Sequence, residues 1–203
     1  MINKIILDLC GGTGSWSKPY KDAGYDVRLV TLPDSDVRTY KPPKNVYGIL
    51  AAPPCTMFSF ARTNAKKPRD LKEGMECVRS CLDIIWSCME IKQDTKYKTL
   101  PLKFRALENP ARGLLRSFLG KPAMIFNPYE FGDMYKKETA LWGNFVEPFR
   151  NYTITKEKTI KMPKFDKLKS KEIFGEFSDR FDRTERRAIT PQGFAKAFFE
   201  ANQ

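Results

Sequence analysis

Three short stretches carry side chains able to do chemistry. "PPCTMFSF" (53–60) places Cys55 directly after the apolar run "VYGILAA" (46–52). "LENP" (107–110) places Glu108 and Asn109 after a second apolar run, and "DLCGGTGSWS" (8–17) opens with Asp8 and turns through Gly11, Gly12 and Gly14. Cys55 has two readings, a small apolar core residue or a nucleophile held at a strand end. The chain contains no histidine. That excludes a Ser-His-Asp triad, a Cys-His dyad and a histidine base, so a nucleophilic Cys55 must act without an imidazole. It also argues against zinc, because no Cys-x-x-Cys pair is present either.

The glycine turn joins a strand to a helix and lets a ligand approach backbone amides. Its spacing is neither the G-x-G-x-x-G of pyrophosphate binders nor a P-loop. The ligand need not be a phosphate. A zwitterionic amino-acid group fits, with its carboxylate at the amides and its ammonium near Asp8, and S-adenosylmethionine carries such a group. The second strand runs into "VTLPDSD", where Thr31 occupies the position at which ribose binders place an acid. Asp34 and Asp36 follow. Asp36 is the better ligand candidate, because it opens "DVRTY", which reads as a brief return toward the sheet.

Positioning these residues requires a sheet. Apolar runs at 4–9, 26–32, 46–52, 103–110 and 122–129 read as strands, separated by helical or long crossover segments. That pattern gives an α/β fold with a mostly parallel central sheet flanked by helices. "KPYKDAGY" reads as a short helix ending at Gly24, and "ARGLLRSFLG" as another. Residues 68–92 form the clearest helix: Leu71, Met75, Val78, Leu82, Ile85 and Met89 make one apolar stripe, with Cys81 and Cys88 beside it as core residues. "NYTITKEKTIKM" alternates as strands do. "TPQGFAKAFFEANQ" reads as a final helix with Thr190 as N-cap and Pro191 in its first turn.

The 203 residues carry a net charge of +12, which points to a polyanionic partner. The five cysteines are an odd count without a secretion signal, so reduced thiols and a cytoplasmic location are expected. No apolar run has the length of a membrane span.

Taken together, these motifs resemble the cytosine-5 DNA methyltransferase family. "DLCGGTGSWS" is similar to its cofactor motif, "PPCTMFS" to its Pro-Cys motif with Thr56 in place of the usual Gln, and "ENP" to its Glu-Asn motif. "YEFGDMYKKETALWGN" resembles the later motif that supports the active site, in the form of short phage-type members. "ITPQGFAKAFFEANQ" resembles the C-terminal motif. The resemblance covers nearly the whole chain outside roughly 151–185. It implies a Rossmann-like S-adenosylmethionine-dependent methyltransferase fold over 1–203, a reduced recognition region at 151–185, and a C-terminal helix at 186–203 returning to the core.

The resemblance also implies residue roles. Asp8, Cys10, Gly11, Gly12, Gly14, Ser15, Leu32, Asp36, Val37 and Pro53 would form the cofactor site. Cys55, as a thiolate, would add to cytosine carbon 6 and make carbon 5 nucleophilic. Glu108, protonated, would hydrogen-bond ring nitrogen 3, and Asn109 would hold the loop or the base. Lys137 stands where the family supplies an arginine, a point charge in place of a planar fork. Ser59 would contact a DNA phosphate. The target base must be flipped out or already unpaired, and the positive charge would neutralise phosphates.

Residues 143–190 leave little room for a target-recognition domain, which implies short or relaxed specificity or a separate recognition subunit. No membrane and no metal are expected. Two other readings stay open: the same chemistry on tRNA, and a catalytically silent nucleic-acid-binding subunit that keeps the fold.

Overall fold

The computed structural model describes residues 4–61, 66–89, 102–152, 156–165, 186 and 188–203. In chain order the elements are β1 (Ile5–Leu9), α1 (Lys18–Asp22), β2 (Asp26–Val30), β3 (Val46–Ala51), α2 (Leu71–Cys88) and β4 (Phe104–Pro110). They continue with α3 (Leu115–Leu119), β5 (Met124–Phe126), a 3-10 turn (Pro128–Phe131), β6 (Thr139–Asn144), α4 (Lys156–Lys161) and α5 (Gln192–Ala201). The six strands form one sheet in the order β2-β1-β3-β4-β6-β5. The first four are parallel, and β6 runs antiparallel between β4 and β5. This mostly parallel, helix-flanked α/β sheet is compatible with a Rossmann-like fold.

Continuous apolar strands need cover on both faces. On one face Leu7, Leu9, Ile49, Ala51 and Leu107 pack with Val78, Cys81, Ile84 and Ile85 of α2 and with Leu115 of α3. The buried stripe of α2 is therefore rotated slightly from the expected one, with Cys81 and Ile84 at its centre and Leu71, Met75, Leu82 and Met89 along its margin. Asp70 caps the helix by accepting from the Glu73 N–H at 2.9 Å. The part of the expected helix beyond residue 89 lies outside the described residues.

On the other face Trp16, Tyr20, Phe104 and Phe126 pack with Phe194 and Phe198 of α5. Phe194 stacks on Phe126 with centroids 3.9 Å apart. Phe194 and Phe198 are fully buried, each stabilising the docked helix by roughly 1.5–3 kcal/mol.

Several local expectations change. The strand pattern read at 151–162 gives way to helix α4 at Lys156–Lys161. Its alternation has no apolar surface to pair with, since Ile160 is exposed, and its Lys and Glu residues favour helix. Residues 153–155 lie outside the described set. The second strand ends at Val30, and "PAMIFNPY" keeps strand pairing only over Met124–Phe126 before the 3-10 turn. "DVRTY" does not rejoin the sheet but forms a turn, in which the Asp36 carbonyl accepts from the Thr39 and Tyr40 N–H groups. Thr190 is not the cap of α5. Pro191 occupies that position without a side-chain cap, and Asp133 supplies the missing acceptor, taking the Gly193 N–H at 2.9 Å. Among the described residues no helix is long and apolar enough to cross a membrane.

Candidate active site

Register gathers the three motifs at one edge of the sheet. Leu9 of β1 lies opposite Ala51 of β3, and Ala51 lies opposite Leu107 of β4. Cys10 and Ala52, just past β1 and β3, and Glu108, near the end of β4, therefore stand at the same level on three adjacent parallel strands. That is the carboxyl edge, where open α/β sheets bind ligands.

At β1 the chain turns sharply. Cys10, Gly12 and Gly14 all have positive φ, and the Gly14 N–H donates to the Gly11 carbonyl at 2.9 Å. Asp8 lies beneath this turn with no solvent exposure. It accepts from the Ser17 hydroxyl at 2.5 Å, while its other oxygen, Oδ1, has no partner. A Cβ on Gly11 would come within 2.2 Å of that oxygen, so only glycine fits over the carboxylate. Burial raises the Asp8 pKa to about 6, and the Ser17 hydrogen bond opposes the rise. Asp8 is thus a floor for the turn and fixes its backbone.

At Gly12 a Cβ would meet nothing within 4 Å, which leaves open space above the turn. Leu32, after β2, is exposed although large and apolar. Ser15 faces elsewhere: its hydroxyl accepts from the Thr190 N–H at 2.8 Å, which pins the entry of α5 to the turn. Val37 is buried in the core. Asp36 is engaged by Arg38 at 2.6 Å, and hydrogen bonds from that guanidinium hold its pKa below the usual carboxylate value. Cys10 packs on the margin of the core beside Cys81, and a hydrogen bond with the Cys81 thiol lowers its pKa.

At β3 the chain leaves through buried Pro53 and exposed Pro54 to half-buried Cys55. The Cys55 carbonyl accepts from the Phe58 and Ser59 N–H groups at 3.0 and 2.9 Å, so the thiol stands at the start of a single helical turn. All five cysteines are thiols. Ser59 is buried, and its hydroxyl accepts from the Ala61 N–H at 3.2 Å.

At β4, Asn109 is buried and donates through Nδ2 to the Pro53 carbonyl at 3.0 Å, locking the Glu108 strand to the Cys55 strand. Its Oδ1 has no partner. Glu108 is partly buried, and desolvation raises its pKa against the opposing charge of Lys137. The side chain of Lys137 reaches the Ile189 carbonyl at 3.4 Å and lies 5.7 Å from the Phe165 ring. The charge of Lys137, from the later motif, thus acts on the carboxyl of the Glu-Asn motif.

Two contributors escaped sequence reading. Asp133 caps α5 from 60 positions away, and Arg69 donates to the Met57 and Ser59 carbonyls, both at 2.8 Å. Neither has a local signature. Among the described residues no group of His, Cys, Asp and Glu is arranged to hold a metal ion. Neither a comparison with known protein families nor one with curated proteins returns a match.

Proposed function

We propose that the chain transfers a methyl group from S-adenosylmethionine to carbon 5 of cytosine in DNA, through a covalent Cys55 adduct. The observation that carries this reading is the Asn109–Pro53 hydrogen bond of 3.0 Å. It couples the strand end bearing a thiol to the strand end bearing a carboxyl with a raised pKa. The glycine turn completes the group on the third adjacent strand.

The residue chemistry is coherent. Cys55 adds as a thiolate to carbon 6 of the ring. Glu108, whose pKa desolvation raises, gives in its protonated form a hydrogen bond or its proton to nitrogen 3 as electrons move toward it. The resulting enamine makes carbon 5 nucleophilic. S-adenosylmethionine, when bound, supplies an electrophilic methyl on a sulfonium. The carbon 5 proton then passes to water, and the electrons of that C–H bond reform the ring double bond as the Cys55 sulfur departs as thiolate. Lys137, beside Glu108, keeps the site positive while the ring carries extra electron density. The open turn at Gly12 and the exposed Leu32 are the residues that would hold the cofactor. The net charge of +12 suits a phosphate backbone. Nucleic acid must present its target base extruded or unpaired.

The test is a covalent trap. The purified chain is incubated with S-adenosylmethionine and with DNA or tRNA containing 5-fluorocytosine, whose fluorine cannot leave as the proton does. The expected result is a stable adduct with DNA that disappears in Cys55→Ser. An adduct with tRNA alone would move the substrate to RNA. Cofactor binding without any adduct would identify a silent subunit.

A further inference from the structure

The turn bearing Cys55 is clamped from two sides, and one clamp is a single side chain. On the β4 side the Phe58 carbonyl accepts from the Leu114 N–H at 3.0 Å, the Phe60 N–H donates to the Arg112 carbonyl at 3.4 Å, and Ser59 bridges to Gly113. On the α2 side the guanidinium of Arg69 spans two carbonyls, Nη1 to Met57 and Nη2 to Ser59, each at 2.8 Å. Carbonyls along this short stretch are therefore divided between the two clamps, Phe58 to one and Met57 and Ser59 to the other.

The base of the Arg69 clamp is rigid. Arg69 immediately precedes Asp70, the capped start of α2. That helix has 18 residues, and Val78, Cys81, Ile84 and Ile85 bury its inner face. The tip of the clamp is a planar fork with two parallel donors, a shape that lysine cannot reproduce. Its charge also lies at the carboxyl end of the turn, where carbonyl dipoles favour a cation.

We propose that Arg69 is a positioning residue for Cys55, holding the thiol's turn in the geometry needed for attack on the base. This rests on the reading of Cys55 as the nucleophile. Two charge-assisted hydrogen bonds keep the turn closed, and the thiol half-covered, until a base arrives. Without the fork, Met57 and Ser59 lose that anchor and the turn opens on the α2 side. The thiol then becomes more accessible but worse placed.

Those two consequences have opposite signs, and that separates positioning from general stability. The full chain is compared with Arg69→Ala and Arg69→Lys after circular dichroism has established folding. Adduct formation with 5-fluorocytosine DNA is followed beside maleimide labelling of the Cys55 peptide by mass spectrometry. In Arg69→Ala, adduct formation should fall on the order of 100-fold. Cys55 labelling should rise roughly 10-fold, the scale of a lost charge-assisted hydrogen bond. Arg69→Lys keeps the charge without the fork and should still lose about 10-fold in adduct formation. Added methylguanidinium should recover part of the Arg69→Ala loss.

Unchanged Cys55 labelling in a folded Arg69→Ala variant, or wild-type rates in Arg69→Lys, would overturn the assignment. If Arg69→Ala does not fold, Arg69→Lys decides alone. If the wild-type chain forms no adduct, the methyl-transfer reading fails, and the labelling arm still decides whether Arg69 holds the turn.

Discussion

Asp8 and Glu108 stand toward the carboxyl ends of β1 and β4, the two strands that flank β3, and burial raises the pKa of both. Their surroundings differ. Asp8 has no solvent exposure, is held by Ser17 and is roofed by Gly11. Glu108 keeps an accessible edge and faces the charge of Lys137. The same desolvation thus serves two ends. An enclosed carboxyl can only shape the backbone around it. A carboxyl with an open edge and a cationic neighbour can exchange a proton with a ligand. A raised pKa marks a reactive group only when a route to substrate goes with it.

Glu108→Gln tests that distinction with the largest expected effect. Glutamine keeps the shape and can still donate to nitrogen 3, but it has no proton to transfer. Methyl transfer should fall by about 10²- to 10⁴-fold. The circular dichroism spectrum should not change, because the Asn109–Pro53 lock is untouched. In the wild-type chain the rate should decline as pH rises through the Glu108 pKa, since the neutral acid is the working form. A Glu108→Gln rate within tenfold of wild type would remove the contrast between the two carboxyls.

Asp8→Asn comes next, and its effect should appear in stability. The folded pKa of about 6 exceeds the ordinary value of 3.8, so the folded chain holds a proton that the unfolded chain has released. Stability from this group is present in full below the ordinary value and is lost as pH rises toward 6. A difference of that size is about 3 kcal/mol. Denaturant unfolding of wild type and Asp8→Asn should therefore diverge between pH 4 and pH 6.5, with wild type losing ground. Parallel profiles would mean that the enclosed carboxyl is not strained by its burial.

The ease of reading these sites from sequence follows how local each signal is. β1, β3 and β4 are continuous apolar runs, and their motifs follow within a few residues, so Asp8, Cys55, Glu108 and Asn109 were visible in order. β6 was not read as a strand: Thr139 to Trp142 are all buried and show no alternation, and the strand pairs only with distant β4 and β5. α4 erred the other way, because "TITKEKTIK" alternates without a surface to bury against. Thr190 looked like a cap by composition, yet its N–H goes to Ser15, 175 positions away. Arg69 and Asp133 act through backbone groups whose identity leaves no trace in side-chain pattern.

Lys137→Met gives the smallest effect and the finest test of the comparison. The lysine charge opposes the desolvation that raises the Glu108 pKa. Removing the charge leaves desolvation less opposed, so Glu108 stays neutral to higher pH and the alkaline limb of the rate profile moves up. Methionine matches the length of much of the lysine stem, so packing near Phe165 is largely kept. The contact with the Ile189 carbonyl is lost, which loosens the segment leading into α5. Lys137→Arg serves as the control, since it restores a cation and should return the limb to its wild-type position. Asp8 has no cation among the causes of its shift, so its stability profile should not move in either variant. A limb that stays fixed in Lys137→Met would mean that the lysine does not act on Glu108, and the open carboxyl would then be governed by burial alone, as the enclosed one is.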